Sequence, residues 1–301
     1  MKIQNHLLPA SAAVALALGF SVSAGAAGND WQTQVAQALG KPGAEMPGGV
    51  YRVGLPRTDI KATLDGVALK PGFALGSWLG FEKTGGEGMV MGDLVLTMDE
   101  VAPVTKKLTD SGIEITALHN HLLRNQPFTM FLHVMGRGDP PALAAKLHDA
   151  LAASATPLGA APAGSAGAPP AIDLDTAAID RALGAKGKNN GGVYSFGIAR
   201  AETIKDDGMV VPPAMGTAIG INFQPTGGGK AAITGDFVLL AKEVNLVAKA
   251  LRDHGIEVTA VHNHMLDDTP HLFFMHFWAN DDAVKLAQGL RSALDQVNIK
   301  R

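Results

Sequence analysis

The chain has 301 residues, 47% of them hydrophobic and 18% charged, which is enough apolar side chain to bury one large core or two of ordinary size. Its formal net charge of −3 gives no electrostatic case for nucleic acid or an anionic membrane surface as partner. It has no cysteine, so disulfides, thiolate metal ligands and a lipid-modified N-terminal cysteine are excluded, and any metal must be held by His, Asp, Glu, amide or backbone oxygen.

Residues 1–27 read as a secretory signal: Lys2, then an apolar run from Ala10 to Val22, then Ala24-Gly25-Ala26 as a small-residue cleavage site. The run is shorter than an ordinary membrane span, and no later stretch is long and apolar enough to be one. The expected mature protein is therefore periplasmic or secreted.

Asp30–Leu39 has helical spacing and is stopped by Gly40. Asp175–Leu183 repeats that pattern before Gly184, with an Asp placed to cap each start. Then come GGVYRVGLPR (48–57) and GGVYSFGIAR (191–200), read as glycine-led strands ending at Arg57 and Arg200. The next thirty residues match less well. Gly76-Ser77-Trp78 is paired here with Gly216-Thr217-Ala218, across gaps. TGGGK (226–230) lacks the spacing of a phosphate loop and reads as a hairpin turn.

Gly92–Leu96 and Gly235–Leu239 begin another matched strand, each running into a helix (99–111 and 242–254). Thr97 and Glu100 fit a capping box in the first copy; Leu240 replaces the Thr in the second. Then Gly112–Leu123 reads GIEITALHNHLL and Gly255–Leu266 reads GIEVTAVHNHML, identical at nine of twelve positions. A turn, a second strand and a last helix complete each copy. Between the copies, residues 154–171 are rich in Ala, Gly and Pro, the composition of a linker.

The expected architecture is thus α+β: two homologous repeats, residues 30–153 and 172–301. Each is a mostly antiparallel sheet with helices packed on it, and its later elements follow a partly ferredoxin-like order.

The chemistry concentrates in a doubled histidine triad. His119, His121 and His133 recur 143 positions later as His262, His264 and His276. Alternate residues of a strand share a face, so His119 and His121 point one way and Asn120 the other. With a short turn centred near residues 125–126, the register sets His133 opposite His119 on that same face. Three imidazoles supply three of the four positions around zinc, leaving one for water or substrate. Copper and iron accept the same ligands.

Glu114 and Glu257 fall on the opposite face. Asp93, Asp236, Glu100 and Glu243 are carboxylates that neighbouring elements could contribute, and Arg57 and Arg200 are candidates to hold an anionic group. The letters HNH also name a nuclease motif, but that motif spreads its residues over a ββα unit and needs a basic surface. A cupin needs a glutamate at a spacing that is missing here.

The blocks GDFVLLAKEVNLVAKALRDHGIEVTAVHNHM (235–265) and LFFMHFWANDDAVKLAQGLRSAL (272–294), with NFQPTGGGKAAITGDF (222–237) before them, resemble the bacterial LppY/LpqO family. These are exported proteins built from a domain of unknown function that is often present twice. The resemblance implies export and the two-copy architecture but no activity.

The functional expectation from the residues is a divalent transition metal, zinc first, with metal-activated water for hydrolysis. A second reading is a non-catalytic protein for a small-molecule or cell-envelope ligand. A third is a structural envelope module whose repeats pair about a pseudo-twofold with the histidines between them.

Overall fold

The computed structural model describes residue 1, residues 30–159 and residues 169–300; the expected signal and the centre of the linker lie outside them. No helix among the described residues is long and apolar enough to cross a membrane.

Each repeat forms a six-stranded antiparallel sheet. In the first the order is Ala44–Met46, Val50–Pro56, Gly76–Thr84, Glu87–Thr97, Thr129–Arg137, Glu114–His119. The second runs Lys188–Asn190, Val193–Ala199, Ala218–Gly227, Lys230–Leu240, Leu272–Asp282, Glu257–His262. The three-residue edge strands Ala44–Met46 and Lys188–Asn190 are additions to the expected elements.

Alternation along the strands sorts the two faces of each sheet. In Glu87–Thr97, Val90, Leu94 and Leu96 point to the helices Met98–Asp110 and Pro140–Leu151, where they meet Val104, Leu108, Leu143 and Leu147 in one core. The opposite face carries Met89, Met91, Asp93 and Val95. Met89, Met91 and Met135 enter the core of the second repeat, and Val95 and Phe131 share a cluster with Ala232 and Trp278 of that repeat. Both sheets therefore bury both faces, one under their own helices and one against the partner repeat.

The register differs from expectation by two. His119 pairs with Phe131 and His133 with Ala117, and a bulge at Thr116 shifts the ladder by one more between Ala117 and Ile115. The second copy has the same bulge at Thr259, and there Ala260 faces His276 and His262 faces Phe274. An even shift keeps the side chains on the same face, so the triads survive it. The sheet register also corrects one alignment: Trp78 lies opposite Asp93 and Gly220 opposite Asp236, so the equivalent of Trp78 is Gly220 rather than Ala218.

Candidate metal centre

Both histidine strands stop at the first histidine of the motif, and the chain turns away into a loop at Asn120 and Asn263. What holds each loop is the other repeat. Asn120 Nδ2 donates to the carbonyl of Thr259 (3.1 Å), and Asn263 Nδ2 donates to the carbonyl of Thr116 (2.9 Å). Thr116 Oγ1 donates to the carbonyl of His264 (2.6 Å), and Thr259 Oγ1 donates to that of His121. The two bulged residues are thus the ones whose hydroxyls cross to the opposite loop. Bulges characteristically re-aim a side chain in this way.

This exchange brings the six histidines into one centre. His119 and His262 stack with ring centroids 3.4 Å apart. His121 stands 3.6 Å from His276, and His133 stands 3.8 Å from His264. Each close pair joins one repeat to the other. His121 and His264 also stack on Phe131 and Phe274, at 3.3 and 3.4 Å. Ligand nitrogens lie within 4.8 Å of one another in three overlapping sets: His119, His121 and His133; His119, His262 and His276; His133, His262 and His264. Two of the three sets mix the repeats.

Hydrogen bonds fix which nitrogen faces the centre. Nδ1 of His119 donates to the carbonyl of Asn120 (3.0 Å), and that of His262 to Asn263 (2.9 Å). Nδ1 of His276 donates to Gly235 (2.7 Å), and that of His264 lies 3.3 Å from the carbonyl of Gly216. An imidazole that donates from Nδ1 presents its Nε2 lone pair, the usual arrangement behind a metal-bound histidine. The Nε2 atoms of all six histidines are buried and have no hydrogen-bond partner. His264 Nε2 does lie 3.1 Å from Asp236 Oδ2, but not in hydrogen-bonding geometry.

Two carboxylates complete the centre, each directly opposite the third histidine of its repeat: Asp93 against His133 and Asp236 against His276. Asp93 Oδ2 is 3.6 Å from His121 Nε2, and its Oδ1 is 3.9 Å from His133 Nε2. Burial pushes both carboxyls up, Asp93 far up, with the charge of Asp236 adding to the effect and Arg52 opposing it. Burial pushes the histidines the other way, His119, His262 and His264 down to about 3 and His276 to about 4, with His121 and His133 also well below the usual range. The centre therefore holds neutral imidazoles at physiological pH, their lone pairs converging.

The other candidate residues lie elsewhere. Arg57 is fully engaged: Nε with Asp59, Nη1 with Glu100 and the carbonyl of Val95, Nη2 with both carboxylates. Arg200 does the same with Glu202, Glu243 and the carbonyl of Val238. The expected anion-holding role is thus corrected: these are buried ion pairs that tie a strand end to a helix N-terminus. Glu100 and Glu243, which also accept the backbone N–H of Thr97 and Leu240, belong to them and not to the centre. Glu257 pairs with Arg124 at the surface.

A cavity of about 850 Å³ opens on the centre, lined by His121, His133, His264 and His276 with Asp93 and Asp236. Sequence reasoning passed over Arg52 and Trp78, which form part of its wall. A signal for Arg52 was the charge break in the repeat, where the second copy carries Ser195 at the equivalent position.

The fold and the centre define a duplicated α+β protein whose two repeats build one buried histidine site between them. The chain belongs to the family described as Domain of Unknown Function (DUF1259), whose model matches residues 33–153 and again residues 177–296. No curated protein matches it. Among solved structures, a trimeric bacterial microcompartment shell protein, PduB, is similar over 84% of this chain and 89% of that chain. The identity is 12% and the TM-score 0.21, too low to carry an argument.

Proposed function

We propose that this is an exported metalloprotein of the LppY/LpqO type, in which one transition-metal centre is shared by both repeats. Zinc is the first candidate, with copper and iron after it, since imidazole does not discriminate strongly among them. The observation that carries the reading is the set of six buried, unpartnered Nε2 atoms. Leaving a buried polar atom unpaired costs about 1–3 kcal/mol, and one cation in their midst satisfies several at once.

The reaction class that fits is hydrolysis. A bound zinc supplies an acidified water and polarises a carbonyl or phosphoryl oxygen. Around it the chain's own groups have separate tasks. The Nε2 atoms would hold the ion, and the Nδ1 bonds of His119, His262 and His276 to backbone carbonyls keep those rings oriented. Asp93 Oδ1 has no hydrogen-bond partner and lies 3.9 Å from His133 Nε2, so with a cation in the centre to keep it ionised it would be placed to take a proton from water there. Asp236 is its counterpart near His276. The large cavity favours, as a second reading, a protein that binds a small molecule at the same centre without turning it over.

Elemental analysis of protein purified from its native compartment tests the proposal, combined with melting before and after chelator. Stoichiometric zinc, copper or iron, and a fall in melting temperature on its removal, are expected. A metal-free protein whose melting is indifferent to chelator and to added metal would end the reading.

A further inference from the structure

The centre is nearly two-fold symmetric, but the cavity above it is not. The first repeat contributes Arg52 and Trp78; the equivalent positions of the second are Ser195 and Gly220. The Arg52 guanidinium lies over the Trp78 ring, 4.0 Å from its centroid. Its Nη1 donates to the carbonyl of Ala214 in the second repeat at 2.7 Å. Trp78 in turn sits against Gly216, where a Cβ would stand 3.0 Å from the indole and 3.7 Å from His264 Nδ1. The pair is thereby fixed at the His264 end of the centre.

Arg52 differs from the other partly or fully buried arginines among the described residues. Arg57, Arg137, Arg200 and Arg291 each have a carboxylate at ion-pair distance. Arg52 has none, and its one hydrogen bond, through Nη1, leaves Nε and Nη2 without a partner in a side chain that lines the cavity. Burial brings it down only to about 10, so it remains a cation. A desolvated guanidinium with two donors to spare matches the fork of a carboxylate. Arg52 alone balances a monoanion; a phosphate dianion would draw on a second cation as well. Lys70, a second cation on the wall, is tethered through Nζ to the carbonyl of Gly192 (2.9 Å), so Arg52 is the one with a planar fork to offer. The cavity volume is that of sites for small organic molecules and far exceeds an inorganic ion.

We propose that the cavity binds one small organic carboxylate per chain, its carboxylate held by the free edge of Arg52 and its body lying toward the histidines. The proposal names the ligand class of the centre described above and rests on that reading for any reaction of the ligand. Capture by Arg52 stands without it.

The test is calorimetric titration of the full mature chain, metal-free and metal-loaded, with benzoate and with its neutral isostere benzamide. Benzoate should bind at one per chain and more tightly than benzamide. Arg52→Gln should weaken benzoate about tenfold or more, the loss of one charge-assisted pair, and leave benzamide unchanged. Arg52→Lys, which keeps the charge without the fork, should recover part of the loss. Melting of each variant checks that it is folded. Absence of benzoate binding, equal affinity for the two probes, or equal affinity of wild type and folded Arg52→Gln would overturn the proposal. If the metal-free protein shows the Arg52 dependence and no metal ever binds, the metal reading fails and this one survives. If metal binds and benzoate is indifferent to Arg52, the reverse holds.

Discussion

His119 and His262 lie face to face with ring centroids 3.4 Å apart, although each is the first histidine of its own repeat. The equivalence of the two rings places them where the repeats meet, and the other four histidines pair across the same boundary. A site shared in this way behaves differently from two sites that merely resemble one another.

One consequence concerns loss of a single ligand. In two independent triads, His119→Ala would abolish half of the bound metal and leave the rest untouched. In the shared centre it removes a member of two of the three ligand sets, and His262→Ala does the same from the other side. Each substitution should lower metal content and affinity for the whole chain, by tenfold or more on the scale of losing one first-sphere imidazole. Metal quantification after dialysis reads this directly. Retention of half the wild-type metal at wild-type affinity would indicate two separate sites.

A second consequence concerns the crossing hydroxyls. Thr116→Val deletes the bond to the His264 carbonyl and keeps the volume. Stability should fall by about 0.5–1.5 kcal/mol, with up to a further 1–3 if the buried carbonyl stays unpaired. Metal affinity should fall about 10–100-fold, the range for residues that orient ligands. Denaturant melts and competition with a chromophoric chelator measure the two effects. Unchanged affinity in the folded variant would show that the loop positions itself.

Much of this was legible in the chain. The repeats, the helices with their Asp and Gly boundaries, and the shared face of each triad followed from spacing alone. The bulges did not, because nothing in GIEIT or GIEVT marks the Thr as the residue that leaves the ladder. Its role is visible only when the other repeat is in place. The joint centre was hidden for the same reason: docking of two sheets is a long-range event that periodicity does not encode. Arg57 and Arg200 misled because repetition preserves a buried ion pair as faithfully as a ligand site.

That ion pair supplies a third test. Glu243 is buried, accepts from Arg200 at 2.7 Å and caps the helix Ala241–Asp253 through the N–H of Leu240. Glu243→Ala leaves the buried guanidinium with Glu202 as its one carboxylate, so the cost should lie at or below the lower end of the about 3–5 kcal/mol for losing one partner of a buried pair. The urea midpoint should drop accordingly, while the metal content of the folded fraction is kept. A drop below about 1 kcal/mol would mean that Glu202 and the Val238 carbonyl suffice to hold Arg200.

The pH dependence of the metal-free chain is a fourth. Unfolded histidines titrate near 6.5, whereas burial holds His119, His262, His264 and His276 at about 3 to 4 and also pushes His121 and His133 well down. Between those values the unfolded chain binds more protons than the native one, so stability is full above about pH 6.5 and is lost as pH falls toward about 3. Asp93 and Asp236, raised by burial, act in the opposite sense, but they are two against six. Denaturant melts of the apoprotein at pH 7.5, 6.0 and 5.0 should show decreasing stability. A flat profile would place the imidazoles in water rather than in a closed centre.

The most direct measurement is an anomalous difference map from crystals of the metal-loaded protein. A peak at bonding distance, roughly 2.0–2.1 Å, from Nε2 atoms of histidines belonging to both repeats is the predicted result. A map with no peak among the six imidazoles, or one whose peaks touch a single repeat's histidines only, would contradict the shared centre.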